Sequence, residues 1–457
     1  MRFRAYIVCV IAILHAPGLA ASAFPGLKST TLAESVFNAR VAVHHGGAGE
    51  GAPVVLVHGI GTEASEVWTD LVAALREEHP LIVLDLPGFG ASPGSGELYS
   101  PDNYASVLHE VIQAFAGEPV RLVGHSLGGA IAIRYAARYP EQVESLHLIS
   151  VAGILHRAAY AAFLARVGDA EGRVDGSGGP DNPVDRAVSS AIRKFVRRTP
   201  DSNRMLESSF FRRAVLGGNA ETIAGMALVA TDFGPSLDQV RAPTRIYWGE
   251  ADRTAPLRTG EILKARLPLA SLTVFPDAGH APMLEMPGRF NDTLIAGLSG
   301  QRAGQASAMP DEIGEASAHC RDERGFRLSG AFKQVVIENC PDALLTDIAV
   351  ARLEIRDSRA RLRNIRLKGS GEGEQAALTV RNSELLVTGG RFSGAWLIDT
   401  ERSVIDMAGT VLEPTELAVR NTGSDASEIL FSVTTLLRGE ERRYLHEVMA
   451  FEQGDRL

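Results

Sequence analysis

Three residues far apart in this chain have the types that activate a hydroxyl for attack on an acyl carbon: Ser126, Asp252 and His280. A serine hydroxyl is a weak nucleophile until a base takes its proton, and the base needs a carboxylate to hold its tautomer. Ser126 stands in Gly124-His125-Ser126-Leu127-Gly128, between a short apolar run and the helix-like "LGGAIAIRYAARYP". Glycines on both sides permit the sharp strand-to-helix turn that lifts a hydroxyl above a sheet. Alone, the pentapeptide is equally an ordinary tight turn. Asp252 lies in "TRIYWGEADRTAP" and His280 in "FPDAGHAPMLEMPGRF", each just past a β-branched run. Glu250 and Asp277 are rival carboxylates close in sequence, and His125 is expected to pack beside the site. An acyl-transfer intermediate also needs N–H donors for its oxyanion, and the Leu127 N–H, at a helix start, is one candidate.

The elements that must position these residues alternate. Val54–Val57, Leu81–Asp85, Val120–Val123, Val143–Ile149, Arg245–Trp248 and Leu272–Phe275 read as strands, with helices such as Pro101–Ala116 and Leu127–Tyr139 between them. Such alternation predicts an α/β domain whose mostly parallel sheet is covered on both faces. In it the three loops open on one sheet edge, in the chain order Ser, Asp, His. After Ser150 the strands stop, and Val184–Arg197 and Asn203–Val215 read as helices of a cap inserted over residues 151–240. Apolar cap residues such as Phe163, Phe210, Phe211 and Met226 suggest a substrate with an apolar acyl part.

Residues from about 34 to 299 resemble the α/β-hydrolase superfamily, in its capped branch of serine hydrolases. The resemblance is carried by "LVHGIG", "LDLPGFGASP", "GHSLGG", "GEADRTAP" and "GHAPMLEMPGRF", in family order and spacing. It implies Ser126 as nucleophile, His280 as general base and acid, Asp252 as the residue orienting the histidine, and Ile60 as the second oxyanion N–H donor beside Leu127. Epoxide hydrolases and haloalkane dehalogenases carry Asp at the nucleophile position and do not fit. The expected activity is hydrolysis of a carboxylic ester or related acyl bond in a small molecule, through an acyl-enzyme and without cofactor. A C–C bond hydrolase, a thioesterase and a cofactor-free haloperoxidase would share the trio. A binding or surface protein with a vestigial hydrolase domain is the alternative of another class. Asp85 is expected to shape a turn, and His44-His45 to be a surface strand end without metal-ligand spacing.

Of 457 residues 45% are hydrophobic, enough for more than one core, and the net charge of −9 without a basic block excludes a nucleic-acid surface. "MRFRAYIVCVIAILHAPGLAASAF" reads as a signal peptide over residues 1–23, with Ala21-Ser22-Ala23 as cleavage site; an uncleaved anchor is the rival. No later stretch approaches the ~18 apolar residues of a span, so a periplasmic or secreted protein is expected. Cys320 and Cys340 then form a candidate disulfide, two free thiols being the alternative.

Residues 300–318 read as a linker. From 319 to 457 short alternating strands dominate, with Asn339, Asn364, Asn382, Asp399 and Asn421 recurring. This predicts an all-β domain, a parallel β-helix with stacked Asn corners or, alternatively, a β-sandwich. It is expected to offer a face to a surface or polymer, to leave the site untouched, and to be dispensable for folding of a chain ending near Gly304.

Overall fold

Val54–Val57 (β3) and Leu81–Leu84 (β4) are apolar at every position, the pattern of strands covered on both faces, and every residue in them is buried. In the computed structural model, which describes residues 24–117, 119–169, 202–267, 269–300, 309–371 and 375–457, they lie in an eight-stranded sheet. The sheet runs from β1 (Leu27–Ala33) and β2 (Arg40–Gly46) through β4 and β3 to β5 (Val120–His125), β6 (Val143–Ile149), β7 (Thr244–Gly249) and β8 (Ala270–Phe275). β1 and β2 are antiparallel additions at one edge, and β3 to β8 are mutually parallel. β3 to β8 match the sequence expectation to within a few residues. β1 escapes it because "LKSTTLA" is too polar to read as a strand. Its pairing also corrects His44: β1 covers that residue, Ser29 Oγ meets its Nδ1 at 2.8 Å, and His44 is buried rather than on the surface.

Helix α3 (Leu127–Arg138) packs directly on this sheet, α2 (Pro101–Phe115) lies against α3, and α1 (Thr69–Leu75) shares a buried cluster with Val54 and Leu56. Ser100 caps α2 by accepting the Asn103 N–H at 3.2 Å, with Pro101 in the first turn. Between β6 and β7 lie the cap helices α4 (Arg157–Asp169), α5 (Ser202–Glu207), α6 (Ala220–Ala230) and α7 (Gly234–Leu237). The single helix expected over Asn203–Val215 is α5 followed by one wide turn, Phe211–Val215. The expected helix Val184–Arg197, the signal segment 1–23 and the first part of the linker lie outside the described residues. α8 (Leu257–Arg266) joins β7 to β8, and α9 (Pro282–Glu285) and α10 (Pro287–Leu298) close the domain. No helix among the described residues is long and apolar enough to cross a membrane.

The C-terminal region is all β. Its strands are β9 (Ser317–Arg321), β10 (Arg327–Glu338), β11 (Ala343–Arg356), β12 (Arg359–Lys368), β13 (Leu378–Arg381), β14 (Glu384–Glu401), β15 (Val404–Arg420), β16 (Ser427–Ser432), β17 (Thr434–Arg438), β18 (Glu441–Leu445) and β19 (Val448–Phe451). Pairing is parallel from β9 to β17, and only β18 and β19 add antiparallel ends. β11, β12, β14 and β13 pair in turn around a closed parallel ring. The register aligns Leu345, Leu362, Val387, Met407 and Phe431 in one apolar column of the core.

Asn339, Asn364 and Asn382 occupy left-handed corners, as their short polar side chains allow. They do not bond to one another: their Nδ2 groups donate to Asp322, Asp347 and Asp357, at 2.5, 2.6 and 2.6 Å. An Asn acting on a neighbouring Asp finds a pure acceptor, which a second Asn offers less well. Asp399 and Asn421 stand apart from this series, and Asn421 instead ties Asp425 and Phe451 carbonyls at 2.8 Å. Cys320 and Cys340 are bridged. The expected linker ends early, since Lys333 N–H donates to Ala316 O at 2.7 Å and β9 begins at Ser317.

The two regions share apolar surface. Ala408, Leu430 and Val433 belong to the same buried cluster as Leu263 and Ile262 of α8 and the sheet residues Val55 and Leu84. The expectation of two independently folding parts therefore meets a common core.

Candidate active site

Ser126 sits where β5 turns into α3, with φ 53° and ψ −115°, a conformation costly for a residue with a Cβ. The strain is held from both sides: its N–H donates to Ile149 O at 2.9 Å, and its carbonyl accepts Ala130 N–H at 3.2 Å. Asp252 follows β7 and His280 follows β8, so all three arise from the carboxyl ends of parallel strands.

There they converge. Ser126 Oγ lies 3.0 Å from His280 Nε2, and His280 Nδ1 lies 2.8 Å from Asp252 Oδ2. The carboxylate can only accept, so Nδ1 carries the proton and Nε2 is left to accept from the serine hydroxyl. Asp252 is fully buried (0% exposed), and its Oδ1 accepts the Thr254 and Ala255 N–H groups at 2.8 and 2.9 Å. A buried carboxylate with these partners is oriented before any substrate arrives. Glu250 and Asp277, the rivals in sequence, are both exposed to solvent.

Several neighbours hold this geometry: His125 packs beside the site as expected, while the roles of His58 and Glu285 go unrecognised in the stretches that contain them. His125 Nε2 donates to the His280 carbonyl at 3.0 Å, and burial followed by the nearby His280 pushes His125 down to about 3, keeping it neutral. Glu285 accepts the Gly279 and Ala281 N–H groups, at 2.5 and 3.0 Å, bracketing His280. His58 accepts the Leu86 N–H through Nε2 at 2.9 Å and donates from Nδ1 to Gly59 O at 2.6 Å; burial lowers its pKa. These bonds fix the "HGIG" loop over the serine, where a Cβ on Gly59 would stand 2.9 Å from Ser126 Cβ. Leu127 is the first residue of α3, so its N–H has no acceptor within the helix. Ile60 follows Gly59 and points its side chain toward α6, near Gly225.

Asp85 plays the structural part expected of it, accepting Ser65 and Ala91 N–H groups at 3.0 and 2.8 Å. The apolar cap residues divide: Phe163 is buried in the core, Phe211 and Met226 pack against it, and Phe210 is 73% exposed. Packing thus accounts for Phe163, Phe211 and Met226.

Residues 52–287 match the sequence profile of a family described as the alpha/beta hydrolase fold. Lipase 1 of Psychrobacter immobilis is 28% identical over 269 residues, covering 57% of this chain and 80% of the lipase. A pimeloyl-[acyl-carrier protein] methyl ester esterase of Nitrosomonas europaea is 30% identical over 259 residues, covering 54% of this chain and 96% of the esterase. A solved esterase from Exiguobacterium antarcticum has a TM-score of 0.45 and 22% identity, over 60% of this chain and 100% of its own.

Proposed function

The chain belongs to the alpha/beta hydrolase family, and from that premise we propose that it hydrolyses carboxylic esters through an acyl-enzyme formed on Ser126. The observation that carries this reading is the unbroken line from Ser126 Oγ through His280 to Asp252, at 3.0 and 2.8 Å. The lipase and the methyl ester esterase among its relatives favour ester substrates over the C–C, thioester and haloperoxidase alternatives.

In the first half-reaction Ser126 Oγ attacks the ester carbonyl carbon while His280 Nε2 takes its proton. The oxyanion so formed faces the N–H groups of Leu127 and Ile60, each such donor contributing roughly 3–4 kcal/mol to the transition state. Collapse breaks the bond to the alcohol, which leaves with the proton from His280. Water, deprotonated by the same histidine, then attacks the acyl carbon and releases the acid and Ser126.

Two further readings belong here. The C-terminal domain is a parallel β-helix, a reading supported by residue pairs such as Leu345↔Leu362 and Val387↔Met407 that repeat in parallel register. The mature protein is exported, with its β face available to a surface or polymer, a reading supported by the signal-like "MRFRAYIVCVIAILHAPGLAASAF" and the bridged cysteines.

A fluorophosphonate probe followed by peptide mass mapping tests the central assignment. The label is expected on Ser126, and Ser126→Ala is expected to take no label and to lose turnover of p-nitrophenyl esters while keeping its far-ultraviolet circular dichroism. Full turnover by the folded variant overturns the mechanism.

A further inference from the structure

α8 lies directly on two corners of the β domain. Gly389 and Gly409 sit there with φ of 66° and 68°, and a Cβ would stand 2.5 Å from Ala265 Cβ at the first and 2.9 Å from Ile262 Cγ2 at the second. No other residue type lets the helix come so close in that backbone conformation.

The same helix is tied electrostatically at both ends. Arg258, in its first turn and only 14% exposed, directs its whole guanidinium at the β domain. Nε donates to Thr388 Oγ1 at 2.9 Å, Nη2 to Val387 O at 2.8 Å, and Nη1 and Nη2 to the two Asp406 carboxylate oxygens at 2.8 and 3.0 Å. This is the bidentate fork that only arginine supplies. Arg266, in the last turn, donates to Val433 O, to Thr435 Oγ1 at 2.9 Å and to Asp238 at 2.5 Å.

α8 is also the continuation of the Asp252 loop. Asp252 Oδ1 holds the N–H groups of Thr254 and Ala255, the Ala255 carbonyl accepts Trp248 Nε1–H at 3.0 Å, and Pro256 opens the helix. The segment from 252 to 258 is thus fastened to His280 at one end and to β14 and β15 at the other.

We propose that Arg258 is a positioning residue for the reaction: through Asp406, Val387 and Thr388 the β domain fixes α8, and with it the Asp252 carboxylate on His280. The C-terminal domain is on this account part of the catalytic apparatus without touching substrate. The inference rests on the assignment of Ser126, His280 and Asp252 made above.

The test is a double-mutant cycle in the full chain, read as kcat and KM on a p-nitrophenyl ester. Arg258→Met is expected to lower kcat about 10- to 100-fold, the scale of a small misplacement of a reacting group, with KM changed less than about twofold. In the Asp252→Asn background the same substitution is expected to cost almost nothing further, because its effect passes through Asp252. An unchanged kcat in folded Arg258→Met, or an equal loss in both backgrounds, overturns the proposal. If Arg258→Met does not fold, Asp406→Asn, which keeps the side-chain volume, carries the same comparison. Full activity of Asp252→Asn would strike instead at the role of Asp252, while Ser126→Ala reports separately on the nucleophile.

Discussion

Gly59 has room for a hydrogen and nothing larger, because a Cβ there would press on Ser126 Cβ at 2.9 Å and His125 Nδ1 at 3.0 Å. Gly59→Ala should therefore move the serine, or the loop carrying the Ile60 N–H, by a few tenths of an ångström or more. The expected result is a fall in kcat of about 10- to 100-fold, with KM little changed and the fold retained. Steady-state kinetics alongside thermal unfolding check it, and an undiminished kcat would mean that the loop yields without disturbing the serine. Sequence points to Ser126 and His280 through glycines and strand-like flanks, but it separates Asp252 from Glu250 and Asp277 only through the family resemblance. It does not reveal His58, Glu285 or the Thr254 and Ala255 N–H groups, since their task is defined by partners that only the fold brings near. His44 is misjudged for the same reason: its cover, β1, is polar in sequence and becomes a strand only through its pairing with β2.

At the scale of elements, the β domain carries a ladder of serines beside its corners. Cys340 N–H donates to Ser358 Oγ at 2.9 Å, Ser358 N–H to Ser383 Oγ at 3.0 Å, Ser383 N–H to Ser403 Oγ at 3.2 Å and Ser403 N–H to Ser427 Oγ at 3.1 Å. Each hydroxyl satisfies a buried backbone donor that the neighbouring strand cannot reach. Ser383→Ala should strand the Ser358 N–H and cost about 1–3 kcal/mol. Urea unfolding followed by circular dichroism should show the midpoint falling at unchanged slope, and an unmoved midpoint would mean that water or a shifted backbone replaces the hydroxyl. The Asn recurrence is visible in sequence because asparagine is the familiar occupant of left-handed corners. The serine ladder and the Asp partners are hidden, because the rungs fall at unequal intervals and Ser and Asp are common in any loop.

At the scale of the whole molecule, the family match over residues 52–287 leaves the β domain outside it, yet α8 is buried against that domain. A chain ending near Gly304 should expose Ile262 and leave Arg258 without its Asp406 partner, while Arg266 keeps only Asp238. It is expected to express insoluble, or to lose most ester turnover relative to the full chain; measured soluble yield and turnover per labelled serine decide it. A soluble fragment with full turnover would reduce the β domain to an appendage. The docking of α8 has a further consequence in time. Arg258 and Asp406 are 148 residues apart in the chain, so at about 5–20 residues per second the ribosome finishes the helix roughly 7–30 s before its seat exists. During that interval the nascent hydrolase sheet has one apolar, arginine-lined flank open to any neighbour. A cell making this protein must keep that flank from aggregating until the last strands arrive.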